Sequence, residues 1–141
     1  MITTDKRSLI SVAAAQALIK EVVDHASGHN WKIAVVVVDP WGAVVAALRM
    51  DGVSAPVFDF AHDKAYTAGT LGTTTEAFQQ RMASSDALRM GLVNRPRLCA
   101  WPGGLPLFSD GELVGGIGVS GAASDDDVTC AERARSALGL R

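Results

Sequence analysis

The stretch from Ala34 to Ala68, AVVVVDPWGAVVAALRMDGVSAPVFDFAHDKAYTA, decides the fold. It passes from strand to tight turn, strand, polar corner and helix, and its polar residues fall only where elements end. Val35 to Val38 is a continuous β-branched run, the pattern of a strand covered on both faces. Asp39-Pro40-Trp41-Gly42 supplies the turn, Pro presetting the first corner residue and Gly relieving the last. Ala43 to Met50 returns antiparallel and stops at Arg49-Met50-Asp51-Gly52. Pro56 then opens a helix that carries His62, Asp63, Lys64 and Tyr66. A buried hairpin that delivers Arg, Asp, His and Lys to one corner reads as a site more than as scaffold.

On the N-terminal side, Thr4 is placed to cap a helix from Asp5 to Ser27 that Gly28 ends, and Trp31–Val38 forms the first strand. Downstream, the corner helix spans Pro56 to Thr70. Thr73, Thr74 and Thr75 cap a short helix, Glu76 to Met82, and Ser85-Asp86 starts a further turn or two finishing near Gly91. Leu92 to Gly104 is irregular. Leu105–Phe108 and Glu112–Val119 pair through Ser109-Asp110-Gly111, and Gly115, Gly116 and Gly118 signal close approach of another backbone. Ser124 caps the last helix, with Asp125 to Asp127 at its positive end. A strand near Arg97–Ala100 completes five. The order α-β-β-α-(short α)-β-β-β-α predicts an α/β (α+β) domain, profilin-like, with helices on both faces of a five-stranded antiparallel sheet.

With 141 residues, 48% apolar and 20% charged, the chain is one globular domain spanning residues 1–141. A net charge of −2 with scattered cations gives no nucleic-acid footprint and no basic membrane patch. The apolar N-terminal run is interrupted by Gln16, Lys20 and Glu21, so it reads as an amphipathic helix, and no segment approaches a membrane span. Cys99 and Cys130 read as reduced thiols of a cytoplasmic protein.

Val38-Asp39 with Gly42, Arg49 to Gly52, Asp63 to Ala68, Gly103 to Leu107 and Asp110 to Gly121 resemble, in order, the signature of the GlcG/HbpS-like family. That family is similar to the C-terminal domain of PduO-type corrinoid proteins. The resemblance covers nearly the whole chain and implies the same layered fold. It also implies assembly into a homo-oligomer and a ligand that is haem, a corrinoid-like tetrapyrrole or a small hydroxy-acid metabolite of a catabolic pathway. Because the family is a scaffold with few defined activities, function rests on the site.

Arg49, Asp51 and Lys64 lead the candidates. Two cations converging on one pocket bind a carboxylate or phosphate, with Asp51 orienting one of them; the plainer role is an ion pair that locks the corner. His62 departs from the family pattern and has the chemistry of a general base, a haem ligand or a hydrogen-bond donor, or else of a surface residue. His25 and His29, spaced i, i+4, share a helix face that suits metal or haem ligation, and equally suits interaction with the helix dipole. Trp101-Pro102-Gly103-Gly104 reads as a ligand loop, with Trp101 as an aromatic wall and Gly103 and Gly104 presenting backbone N–H groups, or as a turn into the next strand. Neither Cys99, Cys130 nor Ser120 sits in a nucleophile motif.

Two functions follow. The first is a small-ligand-binding module for haem, another tetrapyrrole or an anionic metabolite, at Arg49, Asp51, Lys64 and the Trp101–Gly104 loop. The second is a cofactor-free lyase, isomerase or tautomerase, in which His62 and Asp51 move protons while Arg49 and Lys64 hold an anionic acid.

Overall fold

The computed structural model describes all 141 residues. Its elements are α1 (Val12–Gly28), β1 (Ala34–Val38), β2 (Val44–Arg49), α2 (Ala55–Leu71), α3 (Thr75–Ala83), α4 (Asp86–Leu92), β3 (Gly104–Ser109), β4 (Glu112–Ser120) and α5 (Ser124–Ala137). The strands form one antiparallel sheet in the order β2-β1-β4-β3. Every residue of β1 is buried, as its β-branched run predicts. Val35 and Val37 face a core shared with α1 and α5, while Ala34, Val36 and Val38 face α2. The sheet therefore lies between two helical layers.

Glycine sets how closely α2 approaches. A Cβ on Gly116 would stand 2.6 Å from the Cα of Gly69, and one on Gly118 would collide with the Ala61 carbonyl oxygen. Helix and strand touch backbone to backbone, which brings residues 60–70 of α2 close to β3 and β4. The β1–β2 turn is held by Asp39, whose Oδ1 accepts from the N–H groups of Trp41 at 2.9 Å and Ala43 at 3.1 Å.

Two sequence expectations are corrected. The sheet has four strands, not five: residues 97–100 lie along α2 instead of pairing with a strand. Arg97 has a φ of 67°, its carbonyl accepts from the Thr67 hydroxyl, and the Cys99 N–H donates to the same Oγ1 at 2.8 Å. A helix side chain thus satisfies the backbone groups that a strand ladder needs. At the outer edge of β3, Phe108 exchanges two backbone hydrogen bonds with Arg141, so the C-terminal residue occupies part of that edge. The first helix also starts later than Asp5, at Val12, capped by Ser11. Tertiary partners outcompete local propensity there: the Ile10 N–H donates to the Val114 carbonyl and the Ser8 N–H to the Glu112 carboxylate.

Candidate functional site

Lys64 lies on α2, one turn beyond Phe60, and is 2% exposed. Its ammonium donates to the Val119 carbonyl at 2.9 Å and to Asp127 Oδ2 at 3.1 Å. The other oxygen of Asp127 accepts from the Ala122 N–H at 3.0 Å. Burial raises the Asp127 pKa, and Lys64 opposes that rise. One buried pair thus fastens α2, the end of β4 and the first turn of α5. The plainer role of an ion pair applies to Lys64, with Asp127 rather than Asp51 as partner.

Arg49, Asp51 and Lys64 do not meet. The Arg49 guanidinium donates to the Val53 carbonyl and closes the corner after β2, and Asp51 is exposed with no side-chain hydrogen bond or ion pair. The glycine loop does adjoin Lys64: a Cβ on Gly103 would stand 2.9 Å from Nζ. The Gly104 N–H donates inward to Thr75 Oγ1 at 2.9 Å and so is not offered to an anion. Trp101 is half-exposed and packs edge-on against Phe60, with ring centroids 4.9 Å apart.

A different cluster forms on the outward side of α2. Arg97 spans from Thr67, which holds its carbonyl, to His62, where Nη1 lies 2.9 Å from both ring nitrogens. Its guanidinium also covers Tyr66 at 5.9 Å from the ring centroid. Desolvation first, and the Arg97 charge second, lower the His62 pKa, so the imidazole is neutral at pH 7. Burial raises the Asp63 carboxyl despite Arg97 and His62. Arg97 makes no ion pair: the three in the chain are Lys20–Asp24, Lys64–Asp127 and Arg89–Asp86.

The His25 and His29 rings meet at a tilt at the end of α1, 4.4 Å between centroids, and Trp31 stacks on His29 at 4.4 Å. His29 Nδ1 is occupied by the His25 carbonyl, and His25 Nε2 is enclosed without a partner. No group of three metal-ligating side chains is present. Burial raises the Cys99 thiol and pushes Cys130 up to about 11, so neither is a thiolate at neutral pH.

Sequence reasoning missed Asp127 and Arg97. Asp127 looked like one of three equivalent helix-start carboxylates, and nothing in Asp125-Asp126-Asp127 shows which one turns inward. Arg97 lay in a stretch read as a strand. Its unusual backbone follows from Thr67, thirty positions earlier, a relationship with no local signal.

The four antiparallel strands and five helices define an α+β domain whose candidate site residues lie on α2 and the loop before β3. The family described as Haem degrading protein HbpS-like matches residues 10–136, and the chain belongs to it. GlcG of Escherichia coli (strain K12) is 29% identical over 112 residues, covering 79% of this chain and 81% of GlcG. A crystal structure of a Streptomyces reticuli HbpS double mutant superposes with a TM-score of 0.87 at 30% identity, covering 96% of this chain and 91% of that one. PduOC in complex with haem superposes at 0.85 with 25% identity, covering 94% and 97%.

Proposed function

We propose that the protein is a small-ligand-binding module whose ligand is a planar organic anion of the haem class, held on the outward side of α2. The observation that carries this reading is Arg97. It is a non-glycine residue in the left-handed region, a conformation costing on the order of 1–3 kcal/mol, and it places an unpaired guanidinium beside a neutral imidazole and over an aromatic ring. An anion supplies the charge this cation lacks.

For haem, His62 would hold the iron once Arg97, whose Nη1 lies 2.9 Å from both ring nitrogens, turns from the imidazole to a propionate, and Phe60 with Trp101 would form an apolar edge; His25 Nε2 is walled in. Bound haem would supply an iron centre for ligation or redox chemistry. Of the residues first singled out for the ligand, Trp101 keeps a direct part. Lys64 and Gly103-Gly104 position the loop, Arg49 closes the neighbouring corner through the Val53 carbonyl, and Asp51, free of side-chain partners, holds nothing there. Titration of haem into the purified protein tests this: a saturable Soret shift is expected that His62→Ala abolishes and Arg97→Gln weakens. A shift unchanged in both variants, or lost only in His29→Ala, overturns it.

The proton-transfer reading has one observation in its favour. Neutral His62 is the form that accepts a proton, and Arg97 beside it suits an anionic substrate. Turnover of an organic acid by purified protein, lost in His62→Gln with little change in KM, would select it.

The same reading places the protein in the cytoplasm as a homo-oligomer serving a catabolic pathway. The two cysteines are free thiols, which suits a reducing compartment. Gly116 and Gly118 of β4 are covered by α2 and Gly115 by Val38 and Ile10, so these glycines leave no bare surface for a partner. The surface that asks for one is instead β2 and its turn, where Trp41, Val44 and Leu48 are exposed on an open sheet edge. Light scattering at micromolar concentration should give a mass of two or more chains; a single-chain mass rejects assembly.

A further inference from the structure

We infer that the cleft between α3 and α4 binds an amphipathic carboxylate, a hydrocarbon or aromatic body with an acid head, independently of the His62–Arg97 surface. The cleft has a volume of about 520 Å³, within the ~300–1,000 Å³ typical of small-molecule sites. Its walls are apolar, built mainly by Leu71, Phe78, Met82, Leu88 and Leu92, and Arg81 and Arg95 belong to the same lining. Neither arginine takes part in any of the chain's three ion pairs or donates a side-chain hydrogen bond. No acidic residue lines the cleft. Apolar walls with two unpaired guanidinium groups and no carboxylate complement a molecule that is apolar along its length and anionic at one end.

α4 is consistent with a wall completed by a ligand. It has seven residues and none is buried, so a filled cleft would give its inward side chains the packing that the rest of the chain does not. Gly91 leaves part of that wall open: a Cβ added there meets nothing within 4 Å.

Calorimetric titration of the full chain with octanoate, and with octan-1-ol as the uncharged counterpart, tests the assignment. Octanoate should bind saturably, one per chain. The double variant R81Q/R95Q should weaken octanoate by roughly tenfold or more, the loss expected for charge-assisted hydrogen bonds, and leave octan-1-ol unchanged. Gly91→Phe should block both, while circular dichroism and thermal midpoint show an intact fold. The site assignment fails if the wild type shows no saturable binding, or if affinity for octanoate survives either variant. It also fails if the wild type self-associates with concentration and Gly91→Phe abolishes that, since the cleft is then filled by a second copy. Haem titration of these variants reads the His62–Arg97 surface separately, so either assignment can fail alone.

Discussion

The Lys64 ammonium stands 3.1 Å from the Asp127 carboxylate although 63 positions separate them in the chain, and both side chains are almost wholly buried, at 3% and 4% exposure. Taking both charges out of water is costly, and their mutual attraction, the Val119 carbonyl and the Ala122 N–H offset that cost only while both partners are present.

Removing one partner should therefore be worse than removing both. Lys64→Met or Asp127→Leu alone leaves a buried charge uncompensated and should cost ~3–5 kcal/mol, whereas the double variant should recover much of that loss. Urea denaturation of the four proteins closes the cycle. Additive single effects would show that the pair is not coupled. Any loss of ligand in Lys64→Met must first be corrected for the fraction unfolded, because the lysine acts on the fold before it acts on a site.

Gly118 in β4 and Gly91 in α4 should respond to alanine in opposite directions. Gly118→Ala drives a methyl group into the Ala61 carbonyl oxygen and the Ala65 N and Cα and should cost at least the ~1–3 kcal/mol of overpacking, because all three obstacles are backbone. Gly91→Ala sits in helix α4 with open space around it and should stabilise by about 0.5–1 kcal/mol from helix propensity. Thermal midpoints decide; a Gly118→Ala midpoint at or above wild type would contradict the backbone contact between α2 and β4.

These two cases mark what was legible in the sequence. The β-branched run of β1, the Pro and Gly around α2, the glycines of β4 and the Thr74 and Ser85 caps encode their roles locally, and the structure follows them closely. The fifth strand, the first helix start and the partner of Lys64 depend on groups distant in sequence. Residues 97–100 carry strand-compatible side chains, yet Thr67 captures their backbone; Ser8 and Ile10 lie in a helix-compatible run, yet β4 captures theirs. For the candidate site, the polar residues of α2 were visible in the sequence because they interrupt an apolar pattern, but their gathering with Arg49 and Asp51 was not realised. Which of them face inward was not visible, because the helix is packed on one side and crossed on the other by the residue 97–101 loop.

Two histidines should make stability fall on mild acidification. Burial is the first cause of the lowered pKa at both His25 and His62. Around His25 stand His29, Arg133, Asp126 and the Trp31 ring; around His62 stand Arg97, Asp63, Asp59 and the Tyr66 side of α2. A histidine with a depressed folded pKa stays neutral in the fold while the unfolded chain takes up a proton near the ordinary value of 6.5. Its contribution is complete above 6.5 and is lost as pH falls from there towards and through the folded pKa. Asp63 and Asp127 act with the opposite sign. Their raised pKa values favour proton uptake by the fold, in a window reaching upward from the ordinary 3.8, so they should partly restore stability at lower pH. Urea midpoints measured between about pH 7.5 and 5.5 isolate the histidine effect. The wild type should lose stability across that range, His25→Gln and His62→Gln should each flatten the loss, and the double variant should flatten it most. A wild-type midpoint constant over the range, or a slope that both variants leave intact, would show that neither imidazole is held neutral by the fold.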